Sequence, residues 1–153
     1  MEAEVWPDQR VVSLVTDRFL PARVHVKDQA ADFKRFGAMY GAQWTPTILM
    51  LDSEGVERHR IEGFLPLDDF LSEVWLGLGH IAFHTGSYKD AEGRFEEVLR
   101  LLPASEGAPA AQYWAGVSRY KASGDAKDLV ATAAAFKARY QDSVWAKKAS
   151  VWG

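Results

Sequence analysis

At 153 residues, with 48% hydrophobic and 25% charged side chains, the chain has the makeup of one soluble domain or two small ones. A formal net charge of −3 offers no basic surface for nucleic acid or an anionic membrane, and no apolar run approaches the roughly 18 residues of a membrane span. The absence of cysteine removes disulfides, thiolate metal sites and thiol catalysis together. No charged-then-apolar secretion signal opens the sequence, so the chain is expected in the cytoplasm unless a targeting segment lies upstream of Met1.

The first third alternates helix-like and strand-like patterns. Val11, Leu14, Val15 and Arg18 recur at steps of three and four and predict a helix over 9–19. Val24 and Val26 alternate with His25, which predicts a short strand over 22–26. Residues 30–40 are helix-like, with Phe33, Phe36 and Gly37 on one side. Thr47-Ile48-Leu49-Met50-Leu51 is nearly all apolar, the pattern of a strand buried on both faces. Asp52-Ser53-Glu54-Gly55 is a turn cluster, after which 56–61 should return as an antiparallel partner. Strand, helix and strand in that order imply a right-handed crossover between parallel strands.

These blocks carry a resemblance. Phe19-Leu20-Pro21-Ala22-Arg23-Val24-His25-Val26, Phe33-Lys34-Arg35-Phe36-Gly37 and Trp44-Thr45-Pro46-Thr47-Ile48-Leu49-Met50-Leu51-Asp52, with Gly55, Arg60 and Gly63, resemble the second half of a thioredoxin-like domain. Met1-Glu2-Ala3-Glu4-Val5-Trp6-Pro7 resembles the stretch after its second active-site cysteine, so the first strand and the Cys-x-x-Cys motif are missing from the chain. The resemblance implies a cis bond between Thr45 and Pro46. It also implies that Thr45 and Pro46, flanked by Trp44, face an extended peptide added as a strand. The absent strand would lie between 22–26 and 47–51. We expect a truncated start, ahead of direct pairing of those two strands or a strand borrowed from another chain, because unpaired edges are hazards.

The second half follows a different rule. Trp75, Leu78, Gly79, Gly86, Tyr88, Ala91, Phe95 and Pro103 stand in the order of the tetratricopeptide (TPR) repeat, which they resemble over about 34 residues. Gly79 and Ala91 are small where two helices should approach closely, and Trp75, Leu78 and Phe95 fill the space between them. Ser87 and Asp90 form a capping-box-like start for the second helix. A degenerate copy follows. Gly116 lies 37 residues after Gly79, while Leu102, Ser105, Ala108, Ala111 and Trp114 recur 38 residues on as Tyr140, Ser143, Ala146, Ala149 and Trp152. Gly124 and Asp125 supply its turn and helix N-cap, and Leu129, Ala133, Phe136 and Tyr140 its second apolar face. Residues 143–152 should cap the array as a short helix that lays Trp145, Ala149 and Trp152 on the last pair.

Between the halves, 66–85 reads as one helix opened by Pro66. The fold class is therefore α/β plus all-α: a partial thioredoxin-like domain over 1–70, fused through a shared helix to a TPR-like repeat region over 71–153. The connection at 104–109 is the looser one.

Few residues suggest chemistry. His80 and His84 are four apart on a helix, as metal ligands can be, yet no carboxylate completes a set in frame, so no metal and no cofactor is expected. Asp68-Asp69 and Glu96-Glu97 read as solvated helix faces. No phosphate loop, nucleophile elbow or activated serine is present. The TPR resemblance instead implies a groove lined by the first helix of each pair. Its lining would come from Glu73, Leu76, His80, Phe83 and His84, then Ala110, Tyr113, Val117, Tyr120 and Lys121. Of these His80, Phe83, His84, Tyr113, Tyr120 and Lys121 are the peptide-binding candidates. The favoured function is a redox-silent scaffold that binds a protein or peptide. The alternative is a thiol–disulfide oxidoreductase whose first strand and Cys-x-x-Cys lie upstream of this chain, which the codons before Met1 would decide.

Overall fold

Residues 3–153 are described by the structure, a computed structural model. Helix α1 spans Gln9–Arg18, and the Asp8 side chain caps it by accepting the Arg10 N–H at 2.9 Å. Val11 and Leu14 are its buried residues, as their spacing requires. Helix α2 spans Ala30–Tyr40 and ends at Gly41, whose φ of 64° lets the chain leave the helix in the left-handed region. Strands β1 (Thr47–Leu51) and β2 (Glu57–Glu62) then form an antiparallel hairpin with Thr47 opposite Glu62 and Leu49 opposite Arg60. Asp52 organises its turn. One carboxylate oxygen accepts the N–H groups of Glu54 and Val56, and the other accepts Arg58 Nε at 2.8 Å. These donors, the Val56 N–H foremost, hold the Asp52 carboxyl below the usual range.

Two expectations for this half are corrected. Residues 22–26 form no strand: they run exposed or half-buried between α1 and α2, and the sheet has only β1 and β2 among the described residues. A strand is completed by its neighbour's hydrogen bonds, and none pairs with this segment, so the valine alternation alone does not make one. The parallel crossover and the direct pairing of 22–26 with 47–51 are absent with it. Strand β1 is also less buried than its composition suggests, with Met50 buried and Thr47, Ile48, Leu49 and Leu51 half-buried. The reason lies in α2, which has no buried residue. The Tyr40 hydroxyl donates to the Gly55 carbonyl at 3.0 Å, and Arg60 donates to the Tyr40 carbonyl, so α2 is tied to the hairpin by its last turn.

The remaining elements are helical. Helix α3 (Leu67–His84) follows Pro66 and runs unbroken across residue 70. Helices α4 (Tyr88–Leu101), α5 (Ala108–Ser123), α6 (Lys127–Ala138) and α7 (Val144–Ala149) follow, with a 3₁₀ turn at Ser150–Trp152. Phe70, Leu71, Val74 and Leu76 of α3 join Val5, Val11 and Leu14 from the first half to Phe95, Val98 and Ala111 from the second in one core. Ser87 occupies the N-cap position of α4 without a side-chain hydrogen bond, which corrects the expected capping box. Ala126 stands at the N-cap of α6 with no side-chain cap, which corrects the cap expected at Asp125, though the Asp125 carboxylate accepts the Lys127 N–H at 2.9 Å. Ser143 caps α7 through the Ala146 N–H at 3.1 Å.

The two helical hairpins repeat one contact. A Cβ on Gly79 of α3 would overlap the Phe95 ring of α4, and a Cβ on Gly116 of α5 would overlap Thr132 of α6. Both partners lie 16 residues on, and both residues of the second pair lie 37 after those of the first. The turns entering α5 and α7 also match: the Ser105 hydroxyl donates to the Leu102 carbonyl at 2.8 Å, and the Ser143 hydroxyl to the Tyr140 carbonyl at 2.7 Å. Gly79→Ala should therefore cost about 1–3 kcal/mol by overpacking, despite alanine's better helix propensity. Urea unfolding measures this, and the Phe95→Leu change made with it should recover part of the loss.

Candidate functional site

Ladder parity defines the first candidate site. The Gly63 N–H donates to the Pro46 carbonyl at 2.9 Å, so Pro46 and Gly63 form a hydrogen-bonded pair just beyond the strand ends. Such pairs alternate in an antiparallel ladder, so Ile48 and Met50 bond toward β2 while Thr47 and Leu49 turn their peptide groups to the opposite edge. No strand pairs with that edge among the described residues. The corner leading into it is fixed: the Thr47 hydroxyl donates to the Trp44 carbonyl at 2.6 Å, and the Thr45–Pro46 peptide is cis. Trp44 is 66% exposed there, and Thr45 and Pro46 are exposed beside it. Phe64, which follows Gly63, is 56% exposed at the same end of the hairpin. Sequence reasoning missed Phe64. Its signal was the Phe64-Leu65 pair between a strand and Pro66, of which Leu65 packs on the core and Phe64 does not.

The repeat candidates divide between two surfaces. His80, Phe83 and His84 stay together on α3: the Phe83 ring lies 5.4 Å from Trp114, 5.2 Å from Tyr88 and 5.7 Å from His84. Lys121 joins them by placing its ammonium 5.3 Å from the Tyr88 ring centre, a cation–π distance. Tyr113 does not. Its ring stacks on Trp152 at 4.9 Å and meets Trp145 at 5.2 Å, so α7 and the 3₁₀ turn cover it. Trp145, Ala146 and Trp152 fold back there because Ala133, Phe136 and Ala149 give them an apolar floor. Tyr120 is half-buried, a turn and a half from Trp114, and makes no ring contact among the described residues.

His80 is half-buried where β2, α3, α4 and α5 meet. Its ring stacks on His59 of β2 at 5.5 Å and meets Phe95 and Trp114 edge-on at 5.3 and 5.0 Å. Burial, and secondarily the neighbouring imidazoles of His59 and His84, push its pKa down to about 4. His59 in turn pairs its Nε2 with Glu73 at 2.6 Å. The paired carboxylates have structural partners: Asp68 faces Arg10, Asp69 accepts the Glu106 N–H, Glu96 faces Arg119 and Glu97 faces Arg100. No group of three or more His, Asp or Glu among the described residues is arranged to share a metal ion. No described helix is long and apolar enough to cross a membrane. A cleft of about 390 Å³ lies beside α1, α3 and the end of α4, lined by Leu14, Arg18, Leu71, Trp75 and Leu101. It leaves Trp75 half-buried, where the sequence pattern places that ring wholly between helices.

Residues 1–74 match the family model of the thioredoxin-like domain. No curated protein and no solved structure matches the chain. The thioredoxin-like match takes in both helices and the hairpin of the first half, with Trp44, Thr45, Pro46 and Phe64. It ends inside α3, the helix that the second half also uses. The thioredoxin-like domain therefore contributes the open edge, and the helical region the aromatic surface around Phe83 and Trp114.

Trp152→Ala should uncover Tyr113 and cost about 2–3 kcal/mol, combining lost burial with a lost aromatic pair. Urea unfolding followed by circular dichroism measures the change.

Proposed function

We propose that this chain is a redox-silent binding module whose thioredoxin-like domain takes up an extended protein segment as an added strand along the free edge of β1. The observation that carries the reading is the exposed pair Trp44 and Phe64 at the head of an edge where the peptide groups of Thr47 and Leu49 meet no partner strand among the described residues. Main-chain hydrogen bonds along such an edge supply affinity, and flanking aromatic rings select side chains. Thr45 and Pro46 shape the corner between those rings.

In this reading the helical region is a TPR-like pair of hairpins that supports the edge and offers a second surface. Its support is the repeated close approach, Gly79 to Phe95 and Gly116 to Thr132. The accessible part of the repeat groove is His80, Phe83, His84 and Lys121 with Trp114, and the segment it suits is one carrying an apolar side chain beside a carboxylate for Lys121. Tyr113 belongs to the packing of the array, and Tyr120 borders the groove.

Selection of peptides from a random displayed library on the purified chain tests the proposal. Bound peptides should shift the amide resonances of Thr47 and Leu49 and lose about tenfold or more affinity in Trp44→Ala and Phe64→Ala. Peptides that leave those amides unmoved, or that bind both variants like the parent, would overturn strand addition. The chain should also show no turnover in an insulin disulfide-reduction assay, since a mixed disulfide needs a thiolate and this sequence contains none.

A further inference from the structure

The imidazoles of His59, His80 and His84 form a file of rings across the boundary between the hairpin and the helices. His59 stacks on His80 at 5.5 Å with an interplanar angle of 22°, and His80 lies 6.4 Å from His84. The file sits where β2 meets α3, next to Gly77, at which a Cβ would overlap the Met50 side chain and touch His59. On its other side His80 is closed in by Phe95 of α4 and Trp114 of α5. The stack thus joins three elements of the helical region to the hairpin.

We propose that this histidine stack is an acid-sensitive latch, which holds the β-hairpin against α3 while His80 is neutral and releases it when His80 is protonated. A proton on His80 puts a cation into a half-buried site bounded by the rings of Phe95 and Trp114 and by two other imidazoles. The groups facing it offer little relief. On β2, His59 is engaged by Glu73, and Glu57 pairs with Arg60. On α3, the neighbours are Glu73 and His84. On α4, the phenol of Tyr88 lies under Lys121 of α5. The charges that act on His80 are those of His59 and His84, both of its own sign, and no carboxylate is among them.

The direction follows from linkage. A free imidazole takes its proton near pH 6.5, whereas His80 in place holds out to about 4. Between those values the released form binds more protons than the latched one. The latch is therefore at full strength above about pH 6.5 and weakens as the pH falls toward 4. From pH 6.5 to 4.5 the balance should move roughly fortyfold toward release, the released imidazole being already half-protonated at pH 6.5. The latch stands whether or not the β1 edge receives a peptide, because it rests on ring contacts away from that edge.

Thermal midpoints of the full chain at pH 7.0 and 4.5 test this, with His80→Phe, which keeps a ring in the stack, and His80→Gln, which keeps a polar side chain. Neither replacement titrates, so both variants should lose less of their midpoint between the two pH values than the parent does. Carboxylate titrations are common to all three proteins and cancel in the comparison. In the parent, amide-exchange protection at Arg58, His59 and Ile61 should fall on acidification before that of Phe95 and Ala115. An equal pH dependence in the parent and whichever variant folds would overturn the latch. So would a uniform loss of protection across β2, α4 and α5, or a His80 ring in the parent that titrates near 6.5 by nuclear magnetic resonance.

Discussion

Both halves of this molecule are built against one helix, and two glycines make that possible. Residues two apart on an α-helix point about 200° from each other, so Gly77 and Gly79 open opposite sides of α3. Gly77 admits Met50 and His59 of the hairpin, and Gly79 admits the ring of Phe95. Helix α3 is correspondingly buried on most of its circumference, with Phe70, Leu71, Val74, Leu76 and Ala82 all inside. A helix apolar nearly all round belongs in the interior of a fold, and α3 has become one by acquiring neighbours from two architectures.

The candidate binding surfaces depend on that arrangement. The β1 edge is held in place from behind, through Met50 against α3, while no strand among the described residues pairs with its outward peptide groups. On the far side, Trp114 reaches across from α5 to touch His80, Phe83 and Phe95 together, so the aromatic surface is anchored in the same helix. Arg119 ties α5 back to α4 through Glu92 at 2.6 Å and Glu96 at 3.0 Å. Pairs as exposed as these contribute little stability, and their value is in fixing how the helices are rotated.

Legibility in the sequence followed the range of the forces involved. Helix α2 and strand β1 were readable because local signals bound them, Gly41 after one and the Pro46 and Asp52 flanks around the other. Helix α3 was readable because Pro66 opens it and nothing up to Thr85 breaks the helical pattern. The strand expected at 22–26 was not realised, because Val24 and Val26 state a preference that only a neighbouring strand can satisfy. The site was half legible. Trp44, Thr45 and Pro46 announced themselves by motif, but Phe64 became visible only when the Gly63–Pro46 hydrogen bond placed it at the same corner. Tyr113 stands apart from the other groove candidates for the converse reason: its register on α5 follows the repeat, but the covering rings of Trp145 and Trp152 arrive from the other end of the array. No local pattern reports which surface a distant segment will claim.

The shared helix has a consequence for how the molecule can be divided. A cut anywhere within α3 leaves each piece with part of a helix, and a cut on either side leaves one piece with none. The hairpin would then lose the wall behind Met50, or α4 would lose the helix into which Phe95 inserts. Two fragments that each keep an intact wall must overlap, with Leu67–His84 present in both. A lineage that exchanged one half of this molecule for another architecture would meet the same rule and would have to carry a second copy of that helix across.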